Sequence, residues 1–280
     1  MTSTPIATPP GPATLSPTAA IDSDHAAVLA FSRQHAQGAD DRERAVALAL
    51  AGRDGFRYDP YKADLSPHGM KASTVLAQGY GWCVPKAVLL AAVCRAAGIP
   101  ARLGFADVRN HLSTARMRQS METEVFYWHG YTDLWLDGAW RKATPAFNLS
   151  LCQKFGLLPL DFDGRADSIY HPFDAAGNRH MDYIAQRGSY DDLPLDEILV
   201  DFRIHYPRWI ADMALAQPAQ AQADFMAEVQ AEVDQGASRT PTPTQPQPQP
   251  PPQPQPQPPP TLQTQAPTQT PTPTPAAPAA

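Results

Sequence analysis

Charge is missing from both ends of this 280-residue chain. Residues 1–20 carry no ionisable side chain, and residues 240–280 are Pro, Gln, Thr and Ala with a single Leu. Of the 32 prolines, 17 lie after Gly236. Such stretches cannot bury enough apolar surface to offset their ordering entropy, so segments 1–20 and 236–280 are expected to be disordered. The alternating Pro-Gln run favours polyproline II, a form that proline-reading domains bind. The first residues also lack a basic start and an apolar stretch, so a secretory signal is not expected from the pattern. No run approaches the length of a membrane span, and a net charge of −6 leaves no basic footprint for nucleic acid. Cysteine is scarce too. Three residues, Cys83, Cys94 and Cys152, are too few and odd in number for a disulfide framework. Cys83 and Cys94 fall on one helix face but about 16 Å apart, beyond bridging distance. A reducing cytoplasm is the expected location, with no membrane or nucleic-acid partner and no cofactor.

What remains, residues 21–235, has the length of one ordinary domain. Its first half reads as helices. Residues 24–37 carry Val28, Leu29 and Phe31, and Asp40 with Glu43 forms a capping box for a helix that Gly52 is expected to close. A short extended piece at residues 56–58 and a brief helix at 72–77 follow. Beyond Pro100 the pattern turns to strands. Residues 101–106 alternate and run into a polar loop at 107–120, and residues 125–136 are rich in aromatic and β-branched side chains. Asp137-Gly138 is a two-residue hairpin turn, with a return strand at 139–143. A second hairpin is expected from segments 169–173 and 179–184, then helices at 195–206 and 225–233. Helices first and an antiparallel sheet second predict an α+β fold.

The segment Gly79-Tyr80-Gly81-Trp82-Cys83-Val84-Pro85 carries the chemistry. Pro85 is tolerated only in a first helical turn, and Gly98 with Pro100 is a helix stop, so Cys83 opens a helix of about 14 residues. Unpaired N–H groups and the positive end of the helix dipole favour a thiolate there. A cysteine nucleophile needs a base, and the base needs a group to fix its tautomer. Among eight histidines, His129 lies mid-strand, where its orientation can be rigid. With a two-residue turn at Asp137-Gly138, Asp133 faces Lys142 and Tyr131 faces Thr144, which makes Thr144 a diagonal neighbour of His129. The cross-strand match of Asp133 to Lys142 is read as a structural pair. Cys94 and Cys152 read as packed core thiols, and Trp82 as a core aromatic that also walls the thiol pocket. His111 could line a substrate cleft from its loop. A zinc site from Cys83, His129 and His111 has the right ligand types but no short ligand spacing.

Cys83 on a helix start, Gly98-Ile99-Pro100-Ala101-Arg102, His129 leading an aromatic strand and Trp140 on the return strand together resemble the transglutaminase-like superfamily. Tyr58, the 72–76 stretch and Gly79-Tyr80-Gly81 match that family's approach to its cysteine. The resemblance covers about residues 55–148, and the remainder is similar to uncharacterised bacterial members. It implies a papain-like core, a Cys-His-Asp triad and acyl transfer through a thioester on protein or peptide substrates. Cys83 is then the nucleophile and His129 the base. The family's acid stands four residues after the tryptophan, where this chain has Thr144 before Pro145. Threonine can orient an imidazole but brings no charge. Asn148 or Asp133 could substitute, and Gln78 could join the Cys83 N–H in an oxyanion hole. Two functions follow: a thiol enzyme of this class, or a binding module that kept the fold after losing the acid.

Overall fold

The computed structural model describes residues 9–110, 113–169, 174–177, 180–215 and 225–237. The chain divides into Met1–Arg239 and Thr240–Ala280, the latter outside the described residues.

The helix that Cys83 opens is the axis of the first unit. It runs Cys83–Ala96, and every residue from Cys83 to Arg95 is buried. A helix that is apolar all round must be covered on all sides. Here helices Ala26–His35 (α1), Asp41–Asp54 (α2) and Ala72–Gln78 (α3) cover one flank of this α4, and the sheet covers the other. Asp40 caps α2 by accepting from the Glu43 N–H at 2.8 Å, and Glu43 reaches back to the Ala39 N–H at 2.8 Å. Gly52 does not close α2. It lies inside the helix, which continues to Asp54, because Arg53 is anchored on Leu160 O and Asp161 at 2.8 Å each.

One buried side chain of α4 is a lysine. Lys86 Nζ donates to Arg53 O at 2.8 Å and Phe56 O at 2.6 Å. These bonds tie the start of α4 to the turn that leads into Arg57–Tyr58 (β1), which pairs in parallel with Tyr80–Gly81 (β2). Burial pulls the Lys86 pKa down to about 7.

Among the described residues the main sheet has the order β5-β4-β3-β6. Its strands are Ala101–Asn110 (β3), Val125–Leu136 (β4), Ala139–Ala143 (β5) and Met181–Tyr190 (β6). Asp137 and Gly138 both take positive φ, at 50° and 79°, as the tight hairpin turn requires. The resulting register pairs Leu136 with Ala139 and Asp133 with Lys142, as the sequence predicts. Gly104 lies opposite Tyr131, and its missing Cβ makes room for the tyrosine ring.

Three expectations are corrected. The polar loop at 107–120 is instead the end of β3 followed by a helix, Ala115–Met121 (α5), capped by Thr114. Of the second hairpin, residues 170–173 and 178–179 lie outside the described residues, and its distal half is the longer β6, paired with β3. The open edge of β3 needs a partner for its N–H and C=O groups, and β6 supplies it. The N-terminal segment is ordered from residue 9 onward. Thr14 is buried, Arg95 donates to Ser16 O at 2.6 Å, and Thr18 bonds Asp192 at 2.6 Å.

After the hairpin come Leu149–Phe155 (α6), Leu195–His205 (α7), Pro207–Leu215 (α8) and Phe225–Ala237 (α9). Phe225 packs edge-on against Tyr58 and Tyr61, which seats α9 beside the β1 segment. Among the described residues, no helix is long and apolar enough to cross a membrane.

Candidate active site

Cys83 is the first residue of α4, with Trp82 as its N-cap in an extended conformation. Its position at the helix start is as the sequence predicts, but the resting thiol is not acidic. Burial pushes the Cys83 pKa up to about 12, outweighing the nearby N–H groups of Gly130, Val84 and Cys83 itself, which lower it. The expectation of a preformed thiolate is corrected by that burial.

The sulfur lies against β4. Gly130 packs on the first turn of α4, where its N–H is near enough to lower the thiol pKa, and a Cβ at Gly130 would stand 3.1 Å from Val84 Cα and 3.4 Å from Cys83 O. The Gly130 position of β4 therefore faces the first turn of α4. Thr132, one step along the same face, donates to Ala87 O at 2.9 Å. Strand and helix are thus locked in register at two levels. His129 is buried, and its pKa is drawn down to about 3 by burial, with His180 adding to the effect. At neutral pH the thiol and the imidazole are therefore each uncharged. His180 precedes β6 and stacks on Phe147 with ring centres 6.3 Å apart; Phe147 meets Tyr58 at 4.8 Å. No spacing rule marks His180 in the sequence, since its approach depends on β6 pairing with β3.

The three residues considered for orienting the imidazole fall differently. Thr144 is buried, and its hydroxyl has no hydrogen-bond partner among the described residues. The orienting bond expected from the hairpin register is not formed, because β5 ends at Ala143 and the chain turns at Pro145. Asn148 accepts from the Tyr58 N–H at 3.0 Å and donates to Ser150 at 2.7 Å. Asp133 bonds Ser189 at 2.7 Å and Arg102 at 3.2 Å. Its expected Lys142 partner, opposite in register, lies over the Tyr131 ring instead, 4.8 Å from the centroid. Gln78 donates to Tyr80 O at 3.0 Å and so stabilises the turn before Cys83. Cys94 and Cys152 are buried, as expected. His111 lies outside the described residues.

Cys83 borders a cleft of about 1130 Å³. Tyr58, Tyr61, Tyr80, Trp82, Tyr127 and Tyr206 form much of its wall, so Trp82 does flank the thiol. Tyr58 and Tyr206 are close enough that a charge on Cys83 would raise both phenol pKa values, which burial already raises well above the ordinary range. Cations on the rim are each matched by an acid: Arg116 with Glu228 at 3.0 Å, Arg208 with Glu122 at 3.5 Å, Lys62 with Asp59 at 3.8 Å. The cleft is wider than most small-molecule pockets and suits a chain of several residues. Among the described residues, no group of three or more His, Cys, Asp or Glu could hold a metal ion.

Comparison with known proteins bears on this arrangement. The family model of the transglutaminase-like superfamily matches residues 30–145. No curated protein matches the chain. Among solved structures, a candidate cysteine protease from Cytophaga hutchinsonii is similar at 16% identity, with a TM-score of 0.38. The match covers 67% of this chain but only 57% of that protein. Cys83, His129 and Thr144 all fall inside the matched family segment. Residues 30–145 of this chain are thus similar to the transglutaminase-like superfamily.

Proposed function

We propose that this protein is a thiol enzyme that cleaves or transfers a peptide-borne carboxamide or peptide acyl group through a thioester on Cys83, with His129 as base and then acid. The observation that supports this reading is the place of Cys83 at the start of α4, bordering a cleft of about 1130 Å³, with Gly130 of β4 packed on the same helical turn. That packing sets the turn of Cys83 against the residue that follows His129.

The neutral resting pair dictates the order of events. The thiol gives its proton to the imidazole as the sulfur attacks the carbonyl, so ion-pair formation and C–S bond formation are coupled. The Cys83 N–H, at the helix start, can receive the developing oxyanion. His129 then protonates the leaving amine, the C–N bond breaks, and a thioester remains. Water or an amine attacks the thioester, His129 takes its proton, and the thiolate recovers a proton as it leaves.

The test is ammonia or amine release from glutamine-containing and peptide-amide substrates, with hydroxylamine present to capture the acyl group as a hydroxamate. Cys83→Ala is expected to abolish release, and Cys94→Ala and Cys152→Ala to retain it. Turnover that survives Cys83→Ala refutes the proposal.

A second reading is favoured by one observation. The Thr144 hydroxyl has no partner, and Asn148 and Asp133 are engaged elsewhere. With Thr144, Asn148 and Asp133 placed this way, the fold also fits a binding module in which the same cleft holds a peptide without cleaving it. The Pro-Gln segment would then dock to a proline-reading partner.

A further inference from the structure

The strand that presents His129 is not regular. Between the pairs Ala106–His129 and Val108–Phe126, Asp107 alone stands opposite Tyr127 and Trp128. Trp128 takes φ +58°, a left-handed conformation that is strained for a bulky side chain. The opposite neighbour is irregular at the same level. On β6, Arg187 is the extra residue between Gly188, paired with Phe105, and Gln186, paired with Ala106. Ile184 is a second extra residue on β6, between Ala185, paired with Asp107, and Tyr183, paired with Val108; of these three bulges, those at Trp128 and Arg187 lie on opposite sides of β3.

The side chains at the Trp128 and Arg187 bulges meet one another. Asp107 accepts from the Trp128 backbone N–H at 3.1 Å, satisfying a donor that the bulge takes out of the ladder. Arg187 bonds Asp107 through Nε and Asp201 of α7 through its terminal nitrogen. Asp201 also accepts from the Trp128 indole N–H at 2.8 Å, and the guanidinium lies 4.7 Å from the Trp128 ring. Both the backbone and the ring of Trp128 are held from outside β4. None of the three charged residues borders the cleft.

The consequence follows from strand geometry. Side chains alternate with period two, so annealing the bulge by one residue exchanges the faces of everything beyond it. His129 and Gly130 are the first two residues beyond. We propose that Asp107, Arg187 and Asp201 are positioning residues, a clamp that holds the Trp128 bulge and thereby keeps Gly130, with its N–H, packed against the Cys83 turn of α4. This rests on Cys83 as the reactive thiol of the site. It assigns control of that thiol to charges that touch neither it nor a substrate.

The experiment is alkylation of the full chain by iodoacetamide from pH 7 to 10, with modification at Cys83 followed by peptide mass. Asp107→Asn and Asp201→Asn each keep an acceptor but weaken the clamp. Loss of the nearby Gly130 N–H withdraws a group that favours the thiolate, so alkylation at Cys83 should slow about tenfold across the profile, equivalent to one pH unit. Loosening of the fold acts in the opposite direction, because it exposes the sulfur and speeds alkylation. Ile99→Ala, a core change at the far end of α4, serves as the matched destabilised control and should not slow it. An unchanged or faster rate in both clamp variants, or equal slowing in Ile99→Ala, overturns the proposal. Alkylation reads the sulfur itself, so this result is independent of whether Cys83 supports turnover.

Discussion

Lys86→Met turns the buried lysine of α4 into a measurement. The ammonium is enclosed, bonded to Arg53 O and Phe56 O, and its pKa is drawn from 10.5 to about 7 by burial. A lowered lysine pKa means that the unfolded chain binds the proton more tightly than the folded one. The charge therefore opposes folding at low pH, and the penalty disappears as pH rises from the folded value toward the unfolded one. At 1.36 kcal/mol per pH unit the full penalty is roughly 4–5 kcal/mol, and about 3 kcal/mol of it should vanish between pH 6 and 9.5. Methionine carries no such term. It does leave two carbonyls without a donor, at about 1–3 kcal/mol each, but that cost does not vary with pH. The tyrosines and cysteines with raised pKa values destabilise the fold at alkaline pH, and they do so equally in both proteins. The assay is urea unfolding followed by tryptophan fluorescence at a series of pH values. The stability of the native chain minus that of Lys86→Met should rise by about 3 kcal/mol across this range. A difference that stays flat to within ~0.5 kcal/mol would show that the lysine keeps its ordinary pKa, and would refute the argument from burial.

Two further substitutions test the site directly. Gly130→Ala places a methyl 3.1 Å from Val84 Cα, so β4 and α4 must part by a few tenths of an ångström; alkylation of Cys83 and turnover should both fall, with only a modest loss of melting temperature. Thr144→Asp buries a carboxylate where a hydroxyl has no partner; raised turnover with an upward shift of the His129 pKa by NMR is expected of a weakened triad, whereas silence in an intact fold favours the binding module.

Much of the architecture was legible because its signals are local. Pro85 admits only a first helical turn, so α4 starts at Cys83 as read. Asp137-Gly138 dictates a two-residue turn, and with it the register of β4 against β5. Errors arose where a partner distant in sequence decided the outcome. Residues 107–110 look like the start of a polar loop, yet β6 pairs with them and extends the strand. Gly52 looks like a helix stop, yet Arg53 is held by Leu160 and Asp161 and the helix continues. Lys86 sits in an apolar run with nothing nearby in sequence to announce that two carbonyls 30 and 33 residues away would enclose its amine.

The sequence by itself determined which residues could do chemistry: a cysteine at a helix start, a histidine on a strand, and a threonine where the family has an acid. Tertiary structure decided how those groups behave. Burial raised the thiol and lowered the imidazole, the end of β5 left Thr144 without a bond, and clustered bulges set the face that β4 turns toward Cys83. Propensity and turn chemistry act over a few residues and can be read along the chain. Desolvation and strand phase depend on what packs from elsewhere, and only the folded arrangement supplies that.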